Sequence, residues 1–273
     1  VNYLFNRNTQ ELEWIVRELW SELSNSKFEP VGFEVAFGDD AQLPAVDCSG
    51  TLMQAKLRGF VDRVDRYCDG ENTYFRVVDY KTGKKDFDYC DVYNGLGLQM
   101  LLYMFALENH GEQLLGDNPL PAGVQYFPAR VPYISSDKKL SEEEAAEFRK
   151  TSWKRSGLLL ADDGVLEAMG SEDCVSRFPF RRKKDGSIFG DVAKSQQFQE
   201  LKKYVFHLLR NMVDDVATGK IEPNPYTRGS SHSACGYCPY GSICHEAAEE
   251  GRRNFKTMSS QRFWEEIGKE MDH

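Results

Sequence analysis

The sequence lacks the features of several protein classes. Its longest strongly apolar stretch, residues 96–107, is too short to cross a bilayer and is interrupted by Gln99. No signal peptide precedes the first charged residues, and no internal repeat or low-complexity segment occurs. A Walker A sequence is also missing, so we do not expect the chain to hydrolyse ATP by itself. From these absences we expect a cytoplasmic protein rather than a membrane or secreted one.

The chain begins with Val1 rather than methionine, and we expect it to be a segment of a longer protein. It also lacks an overall excess of basic residues, since its net charge is −9. This charge weakly opposes tight DNA binding by the chain alone, but it says little about a local groove. Two groups of basic residues are candidate nucleic-acid-binding sites. The first is Lys84 and Lys85, and the second is the run Arg181, Arg182, Lys183 and Lys184. For the second group, a solvated surface is the alternative.

The seven cysteines are odd in number and accompany no secretory signal, which disfavours a disulfide framework. Cys235, Cys238 and Cys244 form the pattern C-x₂-C-x₅-C, which is typical of a metal site. These thiolates could hold zinc together with His232 or His245. They could instead hold an iron–sulfur cluster with a fourth cysteine from elsewhere. Three reduced cysteines in a loop are the remaining alternative.

Hydrophobic periodicity predicts a mixture of helices and strands. Helices are predicted from Leu12 to Leu23 and over residues 97–109 and 195–218. A further short helix is predicted to begin at a capping box formed by Ser141 and Glu144. Strands are predicted over residues 31–37, 56–67, 73–81 and 123–127, with a hairpin turn at 69–72. The pattern is weakest over residues 129–195, where 183–190 resembles a polar loop or hairpin. We therefore expect one α/β domain with a C-terminal metal-bound lobe.

The most informative strand carries a carboxylate and a lysine on one face. Side chains alternate across a strand, so Asp79 and Lys81 point the same way, and Asp62 lies on the strand before the turn. Two carboxylates can hold Mg²⁺ through hard oxygen ligands, while a lysine can orient water and contact a phosphate. This set suits phosphodiester hydrolysis. A surface ion pair is the alternative, and Asp65, which shares a face with Arg63, is expected to be a salt-bridge partner.

Three segments together resemble the PD-(D/E)XK nuclease superfamily in its RecB-like branch. They are Gly59 to Asp65, Val78 to Gly83, and Gly97 to Tyr103, in which Gln99 and Tyr103 match the branch's Gln-x-x-x-Tyr motif. The resemblance implies a restriction-endonuclease-like fold, a mixed central sheet flanked by helices. It also implies that Asp62, Asp79, Lys81, Gln99 and Tyr103 form a catalytic site. Glu34 could add a metal contact or could simply be an exposed strand glutamate. The helix histidine of some relatives is missing before Asp62.

Within this branch the chain resembles the nuclease domains of AddB-type helicase–nuclease subunits. The resemblance implies a [4Fe–4S] cluster held by Cys235, Cys238 and Cys244, a DNA substrate cut on its 5′-ended strand, and an AddA-type partner subunit. We expect the fourth cluster ligand before Val1, so that the cluster is incomplete and the lobe loosened. The predicted organisation is a nuclease core over 1–228, with an insertion at about 129–195, and a cysteine-rich lobe and tail over 229–273.

Two other classes of function stay open. A Cas4-like or phage-type exonuclease would use the same site. A non-catalytic, zinc-stabilised module that binds DNA or a partner protein would require Asp79 and Lys81 to be structural.

Overall fold

A computed structural model describes residues 2–132, 134, 140–171, 177–229, 232–244 and 252–271. It divides into two compact units. The first comprises residues 1–46, 57–87 and 99–199, and the second comprises 47–56, 88–98 and 200–273. His245 and part of the predicted insertion, residues 133, 135–139 and 172–176, lie outside the described residues. No helix in the described ranges is long and apolar enough to cross a membrane.

The helices and strands have the following bounds. The helices are α1 (Asn2–Asn25), α2 (Tyr89–Tyr93), α3 (Gln99–His110), α4 (Glu112–Leu115), α5 (Glu142–Ser152), α6 (Asp163–Ala168), α7 (Ser195–Ala217), α8 (Gly241–Cys244) and α9 (Ser260–Met271). The strands are β1 (Glu29–Phe37), β2 (Val46–Asp47), β3 (Lys56–Leu57), β4 (Gly59–Cys68), β5 (Thr73–Lys81), β6 (Leu120–Pro128), β7 (Ser156–Leu160), β8 (Phe180–Arg182), β9 (Ile188–Gly190), β10 (Val192–Ala193), β11 (Tyr226–Arg228), β12 (His232–Ser233) and β13 (Arg253–Asn254).

The first unit is built on a six-stranded sheet with the order β1-β4-β5-β6-β7-β10. β1, β4 and β5 pair antiparallel, β6 is parallel to β5 and antiparallel to β7, and β10 is parallel to β7. Helix α3 packs on β5 and β6. The predicted mixed sheet with flanking helices is therefore confirmed, whereas the C-terminal cysteine-rich lobe stays a prediction.

Helix α1 covers one face of this sheet. Trp14, Ile15 and Leu19 pack against the buried core residues Val78, Phe127 and Trp153. The predicted helix is thus confirmed, but the side it buries differs in part from the predicted stripe. Leu12, Val16 and Trp20 are 60–74% exposed, because α1 turns Glu18 and Glu22 as well as apolar residues towards the sheet.

The second unit has its own small core, which includes several packed aromatic rings. The ring of Tyr89 on α2 lies 5.2 Å from that of Phe263 on α9, and both residues are buried. Tyr204 on α7 stacks on Tyr93 and donates its hydroxyl proton to the backbone oxygen of Tyr93 at 2.6 Å. Strands β12, β11 and β13 form a separate sheet in this unit.

The sequence predictions were least complete in the middle of the chain. The capping box at Ser141 and the hairpin around residues 183–190 are both present. Strand β7, which completes the sheet beside β6, was not predicted. In the long helix α7, Phe198 and Leu201 are buried as expected, but Met212 and Val216 are 41% and 67% exposed.

Candidate active site

The β4–β5 hairpin positions the predicted acidic residues. Its turn is closed by the Asp69 carboxylate, which accepts hydrogen bonds from the backbone N–H groups of Glu71 and Asn72 at 2.8 and 2.7 Å. The strands pair in register from Cys68 opposite Thr73 to Arg63 opposite Val78. Because a hairpin turn fixes register, one further step brings Asp62 opposite Asp79.

A backbone hydrogen bond holds Asp62 at this position. Its Oδ2 accepts from the N–H of Tyr80 at 3.0 Å, one residue beyond Asp79. The carboxylate of Asp62 lies close enough for its charge to act on Asp79. The two predicted metal-binding aspartates are therefore neighbours on adjacent strands.

Asp79 and Lys81 form an ion pair at the end of β5. The Lys81 Nζ lies 2.7 Å from Asp79 Oδ2, and Asp79 is only 3% exposed while the Lys81 side chain is 33% exposed. Burial raises the pKa of Asp79 above its ordinary value; the hydrogen bond and charge of Lys81 oppose the rise, and the charge of Asp62 adds to it. The buried carboxylate of Asp79 is thus paired with a lysine whose side chain reaches solvent.

Tyr126 adjoins Asp79 on the next strand and was not anticipated from the sequence. It pairs with Asp79 in the β5–β6 ladder and is 5% exposed. Burial, together with the charge of Asp79, raises the pKa of Tyr126 to about 12. Its phenol is therefore protonated at neutral pH.

Gln99 and Tyr103 lie on one face of α3, as their spacing predicts. Gln99 Nε2 donates to the Tyr103 hydroxyl at 2.6 Å, with Gln99 exposed and Tyr103 buried. The Tyr103 ring meets Phe37 edge-on at a centroid distance of 5.4 Å. A Cβ at Gly59 would lie 3.0 Å from the Phe37 ring and 3.2 Å from that of Tyr103, so both rings crowd the start of β4. Tyr103 is thus located beside the strand that carries Asp62.

Glu34 lies opposite Asp62 on β1, since the pairs Phe33–Arg63 and Val35–Val61 flank this position. Its φ of 49° falls in the left-handed region, which is unfavourable for a non-glycine residue. The Glu34 side chain is exposed. Among the described residues, no three His, Cys, Asp or Glu side chains are grouped closely enough to hold a metal ion. Glu34 therefore does not complete a three-ligand group with Asp62 and Asp79.

The pair of aspartates nevertheless fits Mg²⁺. Magnesium commonly takes one or two carboxylates and fills its remaining positions with water and substrate phosphate. A cation would also relieve the unfavourable ionisation of Asp79 beside Asp62.

The three predicted cluster cysteines are not gathered in the same way. Cys235 is partly exposed, and Cys238 and Cys244 are exposed. Among the described residues they belong to no group of three side chains that could hold a metal ion. The iron–sulfur assignment of Cys235, Cys238 and Cys244 stays a prediction.

The two predicted basic runs differ in their contacts. Lys84 and Lys85 line a pocket of about 220 Å³ that also includes Lys81. Arg181 donates to the backbone oxygens of Phe178 and Phe180, and Arg182 pairs with Asp163 and Glu167. Lys183 lies over the Phe189 ring at 5.7 Å, and Lys184 is exposed. Two further cations of the pocket, Arg130 and Lys154, were missed because they lie in the segment with the weakest sequence pattern.

Comparison with known families identifies the family of the chain. The model of the PD-(D/E)XK nuclease superfamily matches residues 2–245. The chain therefore belongs to the PD-(D/E)XK nuclease superfamily.

The curated relatives give a more specific similarity. The chain is 36% identical over 255 residues to the B subunit of the ATP-dependent helicase/deoxyribonuclease of Clostridium novyi, an alignment that covers 91% of this chain and 22% of the relative. It is 34% identical over 247 residues to the protein of the same name from Desulforamulus reducens, covering 89% and 21%. The Oceanobacillus iheyensis counterpart is 35% identical over 229 residues, covering 80% and 19%. The chain thus spans about a fifth of the length of these relatives.

Proposed function

We propose that this chain is the nuclease region of the B subunit of an ATP-dependent helicase/deoxyribonuclease and hydrolyses DNA phosphodiesters with Mg²⁺. The observation that carries the proposal is the buried Asp79, which pairs with Lys81 at 2.7 Å and lies beside Asp62 on the β4–β5 hairpin. Membership of a nuclease superfamily and similarity to subunits named as deoxyribonucleases support it.

In this proposal each residue has a distinct role. Asp62 and Asp79 hold Mg²⁺, which when bound lowers the pKa of a water molecule and stabilises charge on the phosphate. Lys81, which is one-third exposed, orients the attacking water and contacts a phosphate oxygen. Gln99 fixes the Tyr103 hydroxyl, and the two side chains position the DNA backbone at the start of β4. Glu34, opposite Asp62, is a further candidate ligand once substrate is bound.

The proposal extends to the larger assembly. The relatives are named as subunits, which supports a partner, and we propose an AddA-type helicase–nuclease protein in that place. We further propose that the cleaved strand is the 5′-ended one and that cleavage serves recombinational repair of double-strand breaks. Lys84, Lys85 and the run from Arg181 to Lys184 are proposed to bind DNA, and Cys235, Cys238 and Cys244 to hold a [4Fe–4S] cluster in the longer protein.

The test is cleavage of linear DNA labelled at either its 5′ or its 3′ end, with Mg²⁺ or with EDTA. We expect cleavage by the parent chain with Mg²⁺ alone, loss of cleavage in folded Asp62→Asn and Lys81→Gln variants, and full activity in the exposed-site control Lys203→Gln. Should the parent be inactive, the assay is repeated with the remaining polypeptide and the partner subunit. Equal cleavage by that assembly with and without Lys81→Gln would contradict the assignment and favour a non-catalytic module.

A further inference from the structure

A pocket and a groove in the first unit share two residues. The pocket, about 220 Å³, opens beside Lys81, and the groove, about 440 Å³, reaches the β8–β9 hairpin. Asp86 and Lys154 line both cavities, so the two adjoin one another. Together they extend from Lys84 and Lys85 of the first basic run to Arg181 of the second, about a hundred residues further along the chain.

The pocket is strongly basic, although the chain as a whole carries a net charge of −9. Five cationic side chains and a single carboxylate are among its lining residues: Lys81, Lys84, Lys85, Arg130, Lys154 and Asp86. Asp86 already pairs with Lys84 at 3.1 Å, and Lys81 pairs with Asp79. Lys85, Arg130 and Lys154 form no salt bridge with any residue that the structure describes. Such a concentration of positive charge attracts an anion.

The size of the pocket suits a phosphate group. The pocket's accessible volume of about 220 Å³ is many times the roughly 10–15 Å³ that a single water molecule needs. A phosphate with part of its hydration shell fits this space. Since Lys81 is part of the wall, a phosphate held there lies beside the one proposed for cleavage.

The adjoining groove has the character of a surface for unpaired bases. Phe178 and Phe180 are buried in its lining, whereas Phe189 is 46% exposed. Arg181 is fixed there by hydrogen bonds to the backbone oxygens of Phe178 and Phe180 at 3.0 and 2.7 Å. An exposed aromatic ring beside fixed positive charge is the combination that binds single-stranded nucleic acid, because only an unpaired base exposes its face for stacking.

We propose that Arg130 and Lys154 bind a backbone phosphate of single-stranded DNA next to the scissile phosphate, and that the strand continues over Phe189. The position next to a scissile phosphate rests on the proposed function, whereas the binding of single-stranded DNA does not. Lys154 is central to this path because it faces both the pocket and the groove.

The test measures binding without cleavage. Fluorescence anisotropy is recorded with labelled oligothymidylate in EDTA at several salt concentrations, starting at low ionic strength. Relative to the parent chain, the double variant Arg130→Gln/Lys154→Gln should weaken binding at least about tenfold and should lower the slope of log K against log salt by about 0.7 for each lost phosphate contact. Phe189→Ala should weaken binding with little change in slope.

The matched control is Lys203→Gln, which removes one exposed positive charge outside both cavities. Absence of binding by the parent, or an unchanged affinity and slope in the folded double variant, would overturn the proposal. Duplex DNA that depends on Phe189 as strongly as oligothymidylate would overturn the single-strand assignment. If oligothymidylate binding depends on Arg130 and Lys154 but the complete assembly does not cleave DNA, the pocket stands and the nuclease assignment fails.

Discussion

The two faces of the β4–β5 hairpin carry similar charged residues, but these residues differ in their burial and in their ion-pair partners. On the face under α1, Glu22 accepts hydrogen bonds from Arg63, Arg76 and Arg155 at 3.1, 2.6 and 2.6 Å. Asp65 binds Arg63 and Arg76 on the same face at 2.9 and 2.8 Å. All five residues are at most 4% exposed. On the opposite face, Asp62, Asp79 and Lys81 lie at an opening to solvent.

The surroundings of each carboxylate explain the difference. Burial raises the pKa of Glu22, but the charges of Arg155, Arg76 and Arg63 outweigh it and lower the pKa to about 2. The pKa of Asp79 is instead raised, because Lys81 and the more weakly acting Lys85 do not offset its burial and the charge of Asp62. The protein's own arginines thus neutralise the negative charge of Glu22, whereas neutralisation of the charge at Asp79 is left to a ligand. Three predictions test this contrast.

The largest effect is expected from Asp79→Asn, compared with Asp65→Asn. Loss of a metal-binding carboxylate should lower single-turnover cleavage by about a thousandfold or more, equivalent to several kcal/mol of transition-state stabilisation. The melting temperature should stay the same or rise. A raised pKa in the folded state means that ionised Asp79 opposes folding at neutral pH, so its removal relieves that effect.

Asp65→Asn makes the same chemical change on the other face of the hairpin. It should lower the melting temperature, because it removes a partner of the buried Arg63 and Arg76. Equal losses of thermal stability in the two variants would refute the contrast between the faces.

The next effect is expected from Glu22→Gln. The change leaves three buried arginines without their shared carboxylate, and urea unfolding should give a free energy of unfolding lower by about 3–5 kcal/mol. The control is Glu13→Gln, an exposed position on α1, with an expected change within about 0.5 kcal/mol.

The pH dependence gives the sign of the Glu22 effect. A folded-state pKa of about 2, against an ordinary value of 4.5, stabilises the protein above pH 4.5, and this contribution is lost as the pH falls towards 2. The stability difference between the parent and Glu22→Gln should therefore shrink across this window. A difference that stays constant down to pH 2 would show that Glu22 acts through packing rather than charge.

The smallest effect is expected from Tyr103→Phe. Gln99 loses the acceptor that holds its side chain, which should slow cleavage by about tenfold while stability falls by about 1 kcal/mol or less. Tyr93→Phe removes a hydroxyl that donates to Glu270 in the second unit and should leave the cleavage rate unchanged. Equal rates for the parent and Tyr103→Phe would remove Tyr103 from the positioning role.

The sequence predicted the local elements of this site well. Strand β5 has the predicted bounds, the turn at residues 69–72 is present, and Gln99 and Tyr103 share a helix face. The salt bridge of Asp65 with Arg63 is also confirmed. These features depend on neighbouring residues, on alternation along a strand or on helical spacing, all of which can be read from the sequence.

The sequence by itself determined the acidic residues, the lysine and their order along the hairpin, because a turn and a period of two fix which side chains share a face. Only the tertiary structure decided which of the charged side chains are neutralised by ion pairs. Glu22 lies on α1 and Arg155 directly precedes β7, both far from the hairpin in sequence, and packing brings them to Arg63 and Arg76. Packing likewise places Arg130 and Lys154 beside Lys81, since spatial proximity between distant segments leaves no periodic signal in the chain.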